Sequence, residues 1–393
     1  MKNKLLYIFG GLLLLFSCRK AEDISPDFYF CNLSFADSSS LHPKNIQYRN
    51  LVDGIKSRGI VGINLAVYQP EAGMWMGAAG KADLYNDVDF KPCTMSRVGS
   101  TVKMFTAVTV LMLAEEGKLN LNDKISDYLS GDVISKIENA DQATIRQLLQ
   151  HSSGIFNYIQ SLTFQTASLN DLIKEWQAED LLKYAFNKKA YFKPGDDLRY
   201  SNTGYIMLGM LIEKIEGKPF YKVFEEKLFI PLNLSSTRFA SSDPVPDGIA
   251  RGYIDIYSNF QVLESTYFSG WDYHTADGGL ISTPYDLNVF FRALMDGQLL
   301  SSSLMNEMLN WKAPKEQDPL FFPIDYGLGI FRIETPYGEA YMHSGDAIGY
   351  YANMLYFPSD GTTIVYAVNS NYGKLDQFVS TREAMENIIS QVK

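Results

Sequence analysis

The sequence contains few of the residues that hold metal ions or build disulfide frameworks. Its 393 residues include only four histidines and three cysteines. The histidines lie far apart, at His42, His151, His274 and His343, and neither H-E-x-x-H nor C-x-x-C occurs, which excludes the common zinc-hydrolase and thiolate sites. A G-x-S-x-G nucleophile elbow is also absent, which excludes an α/β-hydrolase. We therefore expect neither a metal ion nor a cofactor.

Basic patches are missing as well. The formal net charge is −10 at pH 7, and no stripe of lysine or arginine offsets it, which excludes nucleic acid as a partner. Hydrophobic residues make up 46% and charged residues 20% of the chain, so we expect a large folded core.

The longest apolar run lies at the N-terminus. Lys2 and Lys4 precede an apolar segment, residues 5–16, which is too short to span a bilayer comfortably and has the length of a signal-peptide core. The segment ends in LFSC, which resembles the lipobox of bacterial lipoproteins. We therefore expect Cys18 to be lipidated and to anchor an exported protein to the cell envelope, at the outer membrane or the periplasmic face. The alternative is an ordinary secretory signal in which this cysteine has no role.

The remainder of the chain divides into a tether and one folded domain. We predict a signal peptide over residues 1–17, a polar tether over residues 18–43 and a single domain over residues 44–393. Cys31 and Cys93 could form a disulfide in an oxidising compartment, and the sequence leaves that pairing open.

Strand patterns occupy both ends of this domain, and helical patterns occupy its middle. Residues 60–69 and 74–82 predict a β-hairpin, and a helix is predicted over residues 376–392. Residues 101–117 are apolar on nearly every face and predict a buried helix that ends at Gly117. Further strands are predicted at residues 326–334, 339–345, 349–358 and 361–370. The expected fold is mixed α/β, with an antiparallel sheet formed from N- and C-terminal strands, flanked by helices, and a large inserted helical subdomain.

Ser100 and Lys103 form a candidate nucleophile and base. They lie three residues apart in GSTVK, at the start of the predicted buried helix, so both side chains fall on one face. A serine hydroxyl becomes a good nucleophile only when a neighbour removes its proton, which a lysine can do if burial lowers its pKa. The same spacing occurs at Ser17 and Lys20 in the export signal, so the pattern alone is weak.

Two further motifs supply polar groups. Tyr200 and Asn202 stand in RYSNTGY, between a Pro-Gly turn and an amphipathic helix predicted over residues 206–217, where a loop can present a phenol to a cleft. His343, Ser344 and Gly345 form HSG at the end of a predicted strand, where glycine lets a substrate lie against the strand edge.

In this order the three motifs resemble the active-site set of the serine β-lactamases and penicillin-binding proteins, most closely the class C β-lactamase and D-alanyl-D-alanine carboxypeptidase family. The resemblance runs from about residue 46 to the C-terminus and includes TMSRVGSTVKMFTA, LLQHSSGI, FKPGDDLRYSNTGY and HSGDAIGYYANMLYFPSDG. It implies a β-lactamase/transpeptidase-like fold. It also implies a serine hydrolase that works through an acyl-enzyme on a small molecule or a peptide, such as a peptidoglycan stem peptide.

The resemblance implies a role for each motif residue. Ser100 would be the acylated nucleophile and Lys103 its proton acceptor. Tyr200 would relay the proton to the leaving group, and Asn202 would bind the amide of the substrate. The backbone N–H groups of Ser100 and Asp346 would form the oxyanion hole.

His343 departs from the pattern of many β-lactamases, which have Lys-Thr-Gly where this chain has His343, Ser344 and Gly345. The resemblance implies that His343 takes the catalytic place of that lysine, which acts on the electrostatics of Tyr200 and on the substrate carboxylate. The hydroxyl of Ser344 and the glycine are retained for substrate binding. A histidine near its usual pKa of about 6.5 is largely neutral at pH 7, so activity on carboxylate-bearing substrates should rise at mildly acid pH.

The departure at His343 favours peptidase or esterase action, and D-alanyl-D-alanine carboxypeptidase-like or related amide and ester hydrolysis is expected. A carboxylesterase, a weak β-lactamase or a non-catalytic penicillin-binding member are the alternatives, because one fold hosts several functions. His151, in LLQHSSGI, is interpreted as structural.

Overall fold

The structure is a computed structural model that describes residues 38–239, 248–268 and 274–393. The predicted signal peptide, the lipidation site at Cys18 and Cys31 lie outside the described residues. The strands, in chain order, are β1 (Gly62–Gln69), β2 (Gly73–Asp83), β3 (Val88–Asp89), β4 (Ser96–Arg97), β5 (Arg238–Phe239), β6 (Tyr253–Ile254), β7 (Leu263–Glu264), β8 (Leu280–Ser282), β9 (Ile324–Tyr326), β10 (Phe331–Thr335), β11 (Gly338–Ala347), β12 (Tyr350–Phe357), β13 (Thr362–Val368) and β14 (Ser370–Asn371).

The α-helices lie mainly between β4 and β9. They are α1 (Asn45–Ser57), α2 (Val102–Glu115), α3 (Gly131–Ile134), α4 (Ile145–Leu149), α5 (Leu162–Asn170), α6 (Ala178–Leu182), α7 (Asn202–Glu216), α8 (Phe220–Phe224), α9 (Pro284–Met295), α10 (Ser302–Met308) and α11 (Arg382–Ser390).

Strands from both ends of the chain pair in one antiparallel sheet. In the described residues this sheet has eight strands in the order β3-β2-β1-β13-β12-β11-β10-β9. The two ends of the chain meet where β1 pairs with β13, with Ile63 opposite Val368. The predicted mixed α/β fold, with a terminal-strand sheet and inserted helices, is therefore confirmed.

Alternate residues of the central strands face two different hydrophobic cores. In β12, Ala352 and Met354 join the larger core, which the inserted helices build, whereas Tyr351 and Leu355 join a smaller core that contains residues of α1 and α11. Successive side chains of a strand point to opposite faces of a sheet. Since both faces are covered, β12 and β13 are apolar along nearly their whole length.

Helix α2 runs through the larger core, as its all-apolar sequence predicts. Most of its residues are buried, Lys103 among them. A turn of 3₁₀-helix, Gly99–Thr101, precedes it and holds Ser100. Gly117 follows the helix with φ 70°, a left-handed conformation that glycine adopts readily after a C-terminus.

Three predicted boundaries are wrong. The strand predicted over residues 326–334 is split into β9 and β10, because Gly329 takes φ 75° and packs against α2. The final helix begins only at Arg382, where the Thr381 side chain accepts a hydrogen bond from the backbone N–H of Ala384 and caps it. Helix α7 already begins at Asn202, one turn before its apolar periodicity becomes visible in the sequence.

In the described ranges every helix is too short or too polar to traverse a bilayer.

Cys93 is disulfide-bonded. Its pairing with Cys31, which the sequence leaves open, stays a prediction because Cys31 is not among the described residues.

Candidate active site

Ser100 and Lys103 meet at the base of a pocket of about 430 Å³. The Lys103 Nζ donates to Ser100 Oγ at 2.9 Å, and it also donates to the backbone carbonyl oxygen of Asp277 at 2.5 Å. The lysine side chain is fully buried, since α2 is apolar around it. A buried amine in contact with a serine hydroxyl is the arrangement that nucleophilic catalysis by serine requires.

Two glycines allow the end of β11 to lie directly on the turn that holds Ser100. A Cβ on Gly99, which has φ 50°, would come within 2.8 Å of the backbone nitrogen of Asp346. A Cβ on Gly345 would come within 1.9 Å of the Val98 carbonyl oxygen and 2.7 Å of the Ser100 nitrogen. The structure thus brings together the two backbone segments whose N–H groups are predicted to form the oxyanion hole.

Tyr200 lies beside Ser100 and Lys103. Its phenol is hydrogen-bonded to Ser100, and the Lys103 Nζ is 5.1 Å from the centre of its ring. Burial raises the pKa of Tyr200, and the hydrogen bond to Ser100 opposes that shift only in part. The tyrosine is therefore a neutral phenol that can donate a proton, and Lys103 is left as the group that can accept one from Ser100.

His343 is buried in β11 beneath the pocket, with only 1% of its surface exposed. Its ring packs 4.9 Å from the ring of Phe331, and Nδ1 lies 2.7 Å from the carbonyl oxygen of Ser344. Since a carbonyl oxygen only accepts, Nδ1 must carry the proton and Nε2 presents a lone pair. No described group bonds to Nε2.

The predicted titration of His343 near pH 6.5 is wrong. Burial, together with the positive charge of Lys103, lowers the pKa of His343 to about 3. The sequence shows a histidine at a strand end, but it does not show that the ring is enclosed by neighbouring elements. The side chain stays neutral throughout the mildly acid range.

Asn202 and Ser344 both line the same pocket. The Nδ2 of Asn202 donates to Asn157 Oδ1 at 3.3 Å, and its backbone N–H donates to the same oxygen. Asn157 therefore fixes the orientation of the Asn202 amide. Gly345, the last residue of HSG, contributes through the close backbone approach described above.

Sequence reasoning missed Asp277 and gave His151 only a structural role. Asp277 lines the pocket with 2% of its surface exposed, and its Oδ2 accepts from the Tyr158 hydroxyl at 3.1 Å. Burial raises the pKa of this carboxyl, against the opposing effect of the Lys103 charge. The available sequence signal for Asp277 was an acidic residue among small ones in TADGGL.

The ring of His151 stacks on that of Tyr200, with centroids 4.4 Å apart.

Asp346 presents a carboxyl to the pocket as well as a backbone N–H. Its side chain is exposed to the cleft. Although the residue is open to the cleft, desolvation by the protein atoms packed around it, and then the charge of Asp376, raise the pKa of Asp346 to about 6, against the effect of a hydrogen bond from Asn371. In the described residues, no cluster of three His, Cys, Asp or Glu side chains could hold a metal ion.

The sequence matches the family described as Beta-lactamase over residues 48–385. The chain belongs to the beta-lactamase family. This membership confirms the family resemblance seen in the three motifs.

Two curated relatives are similar to the chain. Penicillin-binding protein 4* of Bacillus subtilis (strain 168) is 29% identical over 310 residues, which are 74% of this chain and 64% of the relative. Protein flp of Staphylococcus aureus (strain COL) is 30% identical over 195 residues, or 48% of this chain and 37% of the relative. The chain thus spans less than two thirds of the length of either relative.

Two solved structures share the fold over nearly their whole length. A D-stereospecific amidohydrolase from Streptomyces sp. superposes with a TM-score of 0.76 at 26% identity, covering 88% of this chain and 98% of that one. A D-amino acid amidase from Ochrobactrum anthropi SV3, complexed with L-phenylalanine amide, superposes with a TM-score of 0.77 at 26% identity and the same coverage of both chains.

Proposed function

We propose that this protein is a serine hydrolase that forms an acyl-enzyme on Ser100 and cleaves amide or ester bonds. The observation that supports this best is the 2.9 Å contact between Lys103 Nζ and Ser100 Oγ at the base of an open pocket. The family and the amidases of similar fold support the same chemistry.

In the acylation step, Lys103 in its neutral form takes the proton of Ser100 as Oγ attacks the substrate carbonyl carbon. The negative charge that develops on the carbonyl oxygen is stabilised by the backbone N–H groups of Ser100 and Asp346, each such donor contributing about 2.7–4 kcal/mol in comparable enzymes. Tyr200, a phenol beside both residues, gives its proton to the leaving group as the bond breaks and regains one from the Lys103 ammonium, so the serine proton ends on the leaving group. Water then hydrolyses the acyl-enzyme by the reverse proton route.

The proposed substrates are peptides or small amides of the D-alanyl-D-alanine carboxypeptidase type or of a related type, with a peptidoglycan stem peptide as a candidate. Penicillin-binding protein 4* and the D-amino acid amidase point to this range. Because His343 is neutral, the pocket has no histidine cation to receive the carboxylate of a substrate. This favours amides and esters over rapid β-lactam turnover.

Covalent labelling of Ser100 tests the proposal. A fluorophosphonate and a fluorescent penicillin should each add one adduct that peptide mass spectrometry locates at Ser100. Ser100→Ala should fold normally, since the residue lies at a solvent-reached turn, and should lose both adducts and all hydrolysis. Full turnover by Ser100→Ala would show that the mechanism is wrong, and a labelled Ser100 without turnover of any amide or ester would favour a binding member of the family.

We further propose that the mature protein is exported and attached to the cell envelope by a lipid on Cys18. The support is the sequence alone: the basic start, the short apolar segment and LFSC. The polar residues from 19 to 37 would then serve as the tether to the hydrolase domain. The predicted tether end at residue 43 is wrong, because Ser39 is buried and its hydroxyl accepts a hydrogen bond from the backbone N–H of Met76 in β2.

A further inference from the structure

The described residues of the active-site pocket are rich in hydrogen-bond acceptors and include no cationic side chain. They contribute two carboxyl groups, Asp277 and Asp346, and no lysine or arginine. Among them, the basic side chain is His343, which is neutral and has a lone pair on Nε2 that no described group uses. Lys103 lies behind this surface, fully buried against Ser100. The pocket is therefore better suited to a cation than to a carboxylate.

Asp346 is held in place by Asn371. The Nδ2 of Asn371 donates to Asp346 Oδ1 at 3.0 Å and to the backbone oxygens of Ala347 and Tyr350 at 2.9 and 2.8 Å. Its own Oδ1 accepts from the backbone N–H of Gly349 at 2.9 Å. One asparagine thus fixes both the β11–β12 turn and one oxygen of the carboxyl. The second oxygen, Oδ2, accepts no hydrogen bond from any described residue.

We infer that Asp346 binds a free ammonium group on the acyl portion of the substrate, so that the enzyme acts on amides or esters of amino acids or on the N-terminal residue of a peptide. This inference rests on the proposed function and specifies its substrate class. The backbone N–H of Asp346 belongs to the predicted oxyanion hole, so its side chain projects from the same residue that would contact the oxygen of the reacting carbonyl. An amino group on or near the α-carbon of the acyl group is within reach of such a position.

The other pocket walls accommodate an apolar side chain. Ile159, Phe321, Ile324, Phe331 and Met342 all line it. Burial of apolar surface stabilises binding by roughly 25 cal/mol per Å², whatever the orientation of the buried group. An aromatic or branched aliphatic amino-acyl group, with its ammonium on Asp346, matches both features of the pocket.

Asp277 is the other carboxyl, and its environment gives it a different task. Only 2% of its surface is exposed, and Oδ2 is bonded to the Tyr158 hydroxyl. Its backbone oxygen holds Lys103. It is therefore placed to position the catalytic lysine, whereas Asp346 is open to the cleft.

Three p-nitroanilides that differ in the charged or neutral group on their amino nitrogen test the inference. They are phenylalanine p-nitroanilide, its N-acetyl derivative and its N-succinyl derivative, which present an ammonium, a neutral amide and a carboxylate, each in D and L forms. For the better enantiomer we expect kcat/KM for the free amine to exceed that for the N-acetyl compound by about 10- to 100-fold, the range for one hydrogen bond to a charged group. The succinyl compound should be the poorest.

Three variants assign the effect to a residue. Asp346→Asn keeps an oxygen for Asn371 and removes the charge, so the amine-to-acetyl ratio should fall at least tenfold, mainly through KM. Glu334→Gln removes one negative charge from an exposed site of β10 outside the pocket and should keep the wild-type ratio. Asp277→Asn should lower kcat for all three substrates alike. Each ratio compares kcat/KM for two substrates of the same variant. A substitution that slows the hydrolysis of both substrates equally therefore leaves the ratio unchanged.

A wild-type ratio near one, or a preference for the succinyl compound, would overturn the inference. A ratio that persists in Asp346→Asn and falls in Asp277→Asn would overturn the assignment to Asp346. If Ser100 is labelled but no anilide is cleaved, the readout becomes protection of Ser100 from fluorophosphonate. Phenylalanine amide should then protect at a concentration at least tenfold lower than N-acetylphenylalanine amide, and equal protection refutes the inference. Absence of any Ser100 adduct would refute the proposed function itself.

Discussion

His151 and Tyr200 stack in the wall of the active site, with ring centroids 4.4 Å apart and an angle of 29° between their planes. The Nδ1 of His151 accepts the backbone N–H of Ser201 at 3.2 Å, so the ring also fixes the chain immediately after Tyr200. Burial, reinforced by the charge of Lys103, lowers the pKa of His151 and keeps it neutral. The residue that sequence reasoning interpreted as structural therefore positions the tyrosine that donates the proton.

Two substitutions separate the stacking of His151 from its hydrogen bond. His151 has φ 57°, a conformation that asparagine tolerates, so His151→Asn should fold while losing the ring. We expect it to slow acylation about tenfold, because Tyr200 is no longer held over Ser100. His151→Phe keeps a ring but leaves the Ser201 N–H unpaired, which should cost about 1–3 kcal/mol of unfolding free energy with a smaller loss of rate. Stopped-flow acylation and urea unfolding measure the two effects, and equal rates for both variants would contradict the positioning role.

Lys103→Met tests the proton acceptor. Methionine fills a similar volume in the apolar surroundings of α2 and cannot take a proton. Positioned acid–base groups accelerate reactions by about 10²–10⁴-fold, so labelling of Ser100 should slow by that factor. The Asp277 carbonyl oxygen loses its donor, so thermal unfolding serves as the control for folding. Labelling at the wild-type rate would assign the base to another group.

The sequence was informative where function depends on short local patterns. Ser100 and Lys103 are one helical turn apart, so their contact follows from spacing alone. The continuous apolar run of β12 and the apolar circumference of α2 likewise predicted a strand and a buried helix, since burial sets both patterns.

What the sequence could not reveal depends on contacts between distant segments. Asp277 reaches Lys103 across the fold, and Asn371 clamps Asp346 from the strand that follows β13. No local pattern reports such pairs. The pKa of His343 is set by its enclosure in the folded sheet, so a prediction based on its ordinary value was bound to be wrong.

Cys18→Ala tests the proposed anchor. A lipid chain contributes about 0.8 kcal/mol per buried CH₂, so its removal should move the protein from the membrane fraction to the soluble exported fraction. Fractionation and metabolic labelling with a fatty-acid analogue measure this, with Ser100→Ala as a control that folds normally and retains the lipid. Lipid labelling that persists in Cys18→Ala would rule out this site.

His343→Lys tests the electrostatic character of the pocket. A lysine is longer and keeps its charge at neutral pH, so it introduces a cation where the wild type offers a lone pair. We expect kcat/KM for the N-succinyl anilide and for nitrocefin to rise about tenfold relative to the N-acetyl anilide, and the free-amine preference to fall. Because the position is buried beside Lys103, the variant should also be less stable, which urea unfolding would measure. Unchanged ratios would mean that position 343 does not face the charged end of the substrate.

The pH dependence follows from Asp346 instead of His343. The groups that act on Asp346 are Asp376, which raises its pKa, Asn371, which opposes that shift through its hydrogen bond, and the phenols of Tyr200 and Tyr351. Burial raises the pKa of both phenols, so neither titrates in the mildly acid range. His343, with a pKa of about 3, is neutral there as well. Burial also raises the pKa of Asp376, but its carboxyl does not line the pocket. Asp346 is the pocket residue in this set whose pKa lies near 6.

An ammonium group binds the ionised form of the Asp346 carboxyl, and this sets the direction in which kcat/KM changes with pH. With a pKa of about 6, the Asp346 carboxyl is ionised above that pH and becomes protonated as the pH falls through it. An α-amino group, with a pKa of about 7.7–8.0, stays cationic between pH 5 and 7. We therefore expect kcat/KM for phenylalanine p-nitroanilide to fall about tenfold from its plateau by pH 5, relative to the N-acetyl anilide at the same pH, since one pH unit changes the ionised fraction about tenfold. Asp346→Asn should abolish this difference between the substrates. An acid limb of equal size for both substrates would belong to a shared catalytic group, and Asp346 would then have no part in recognising the amine.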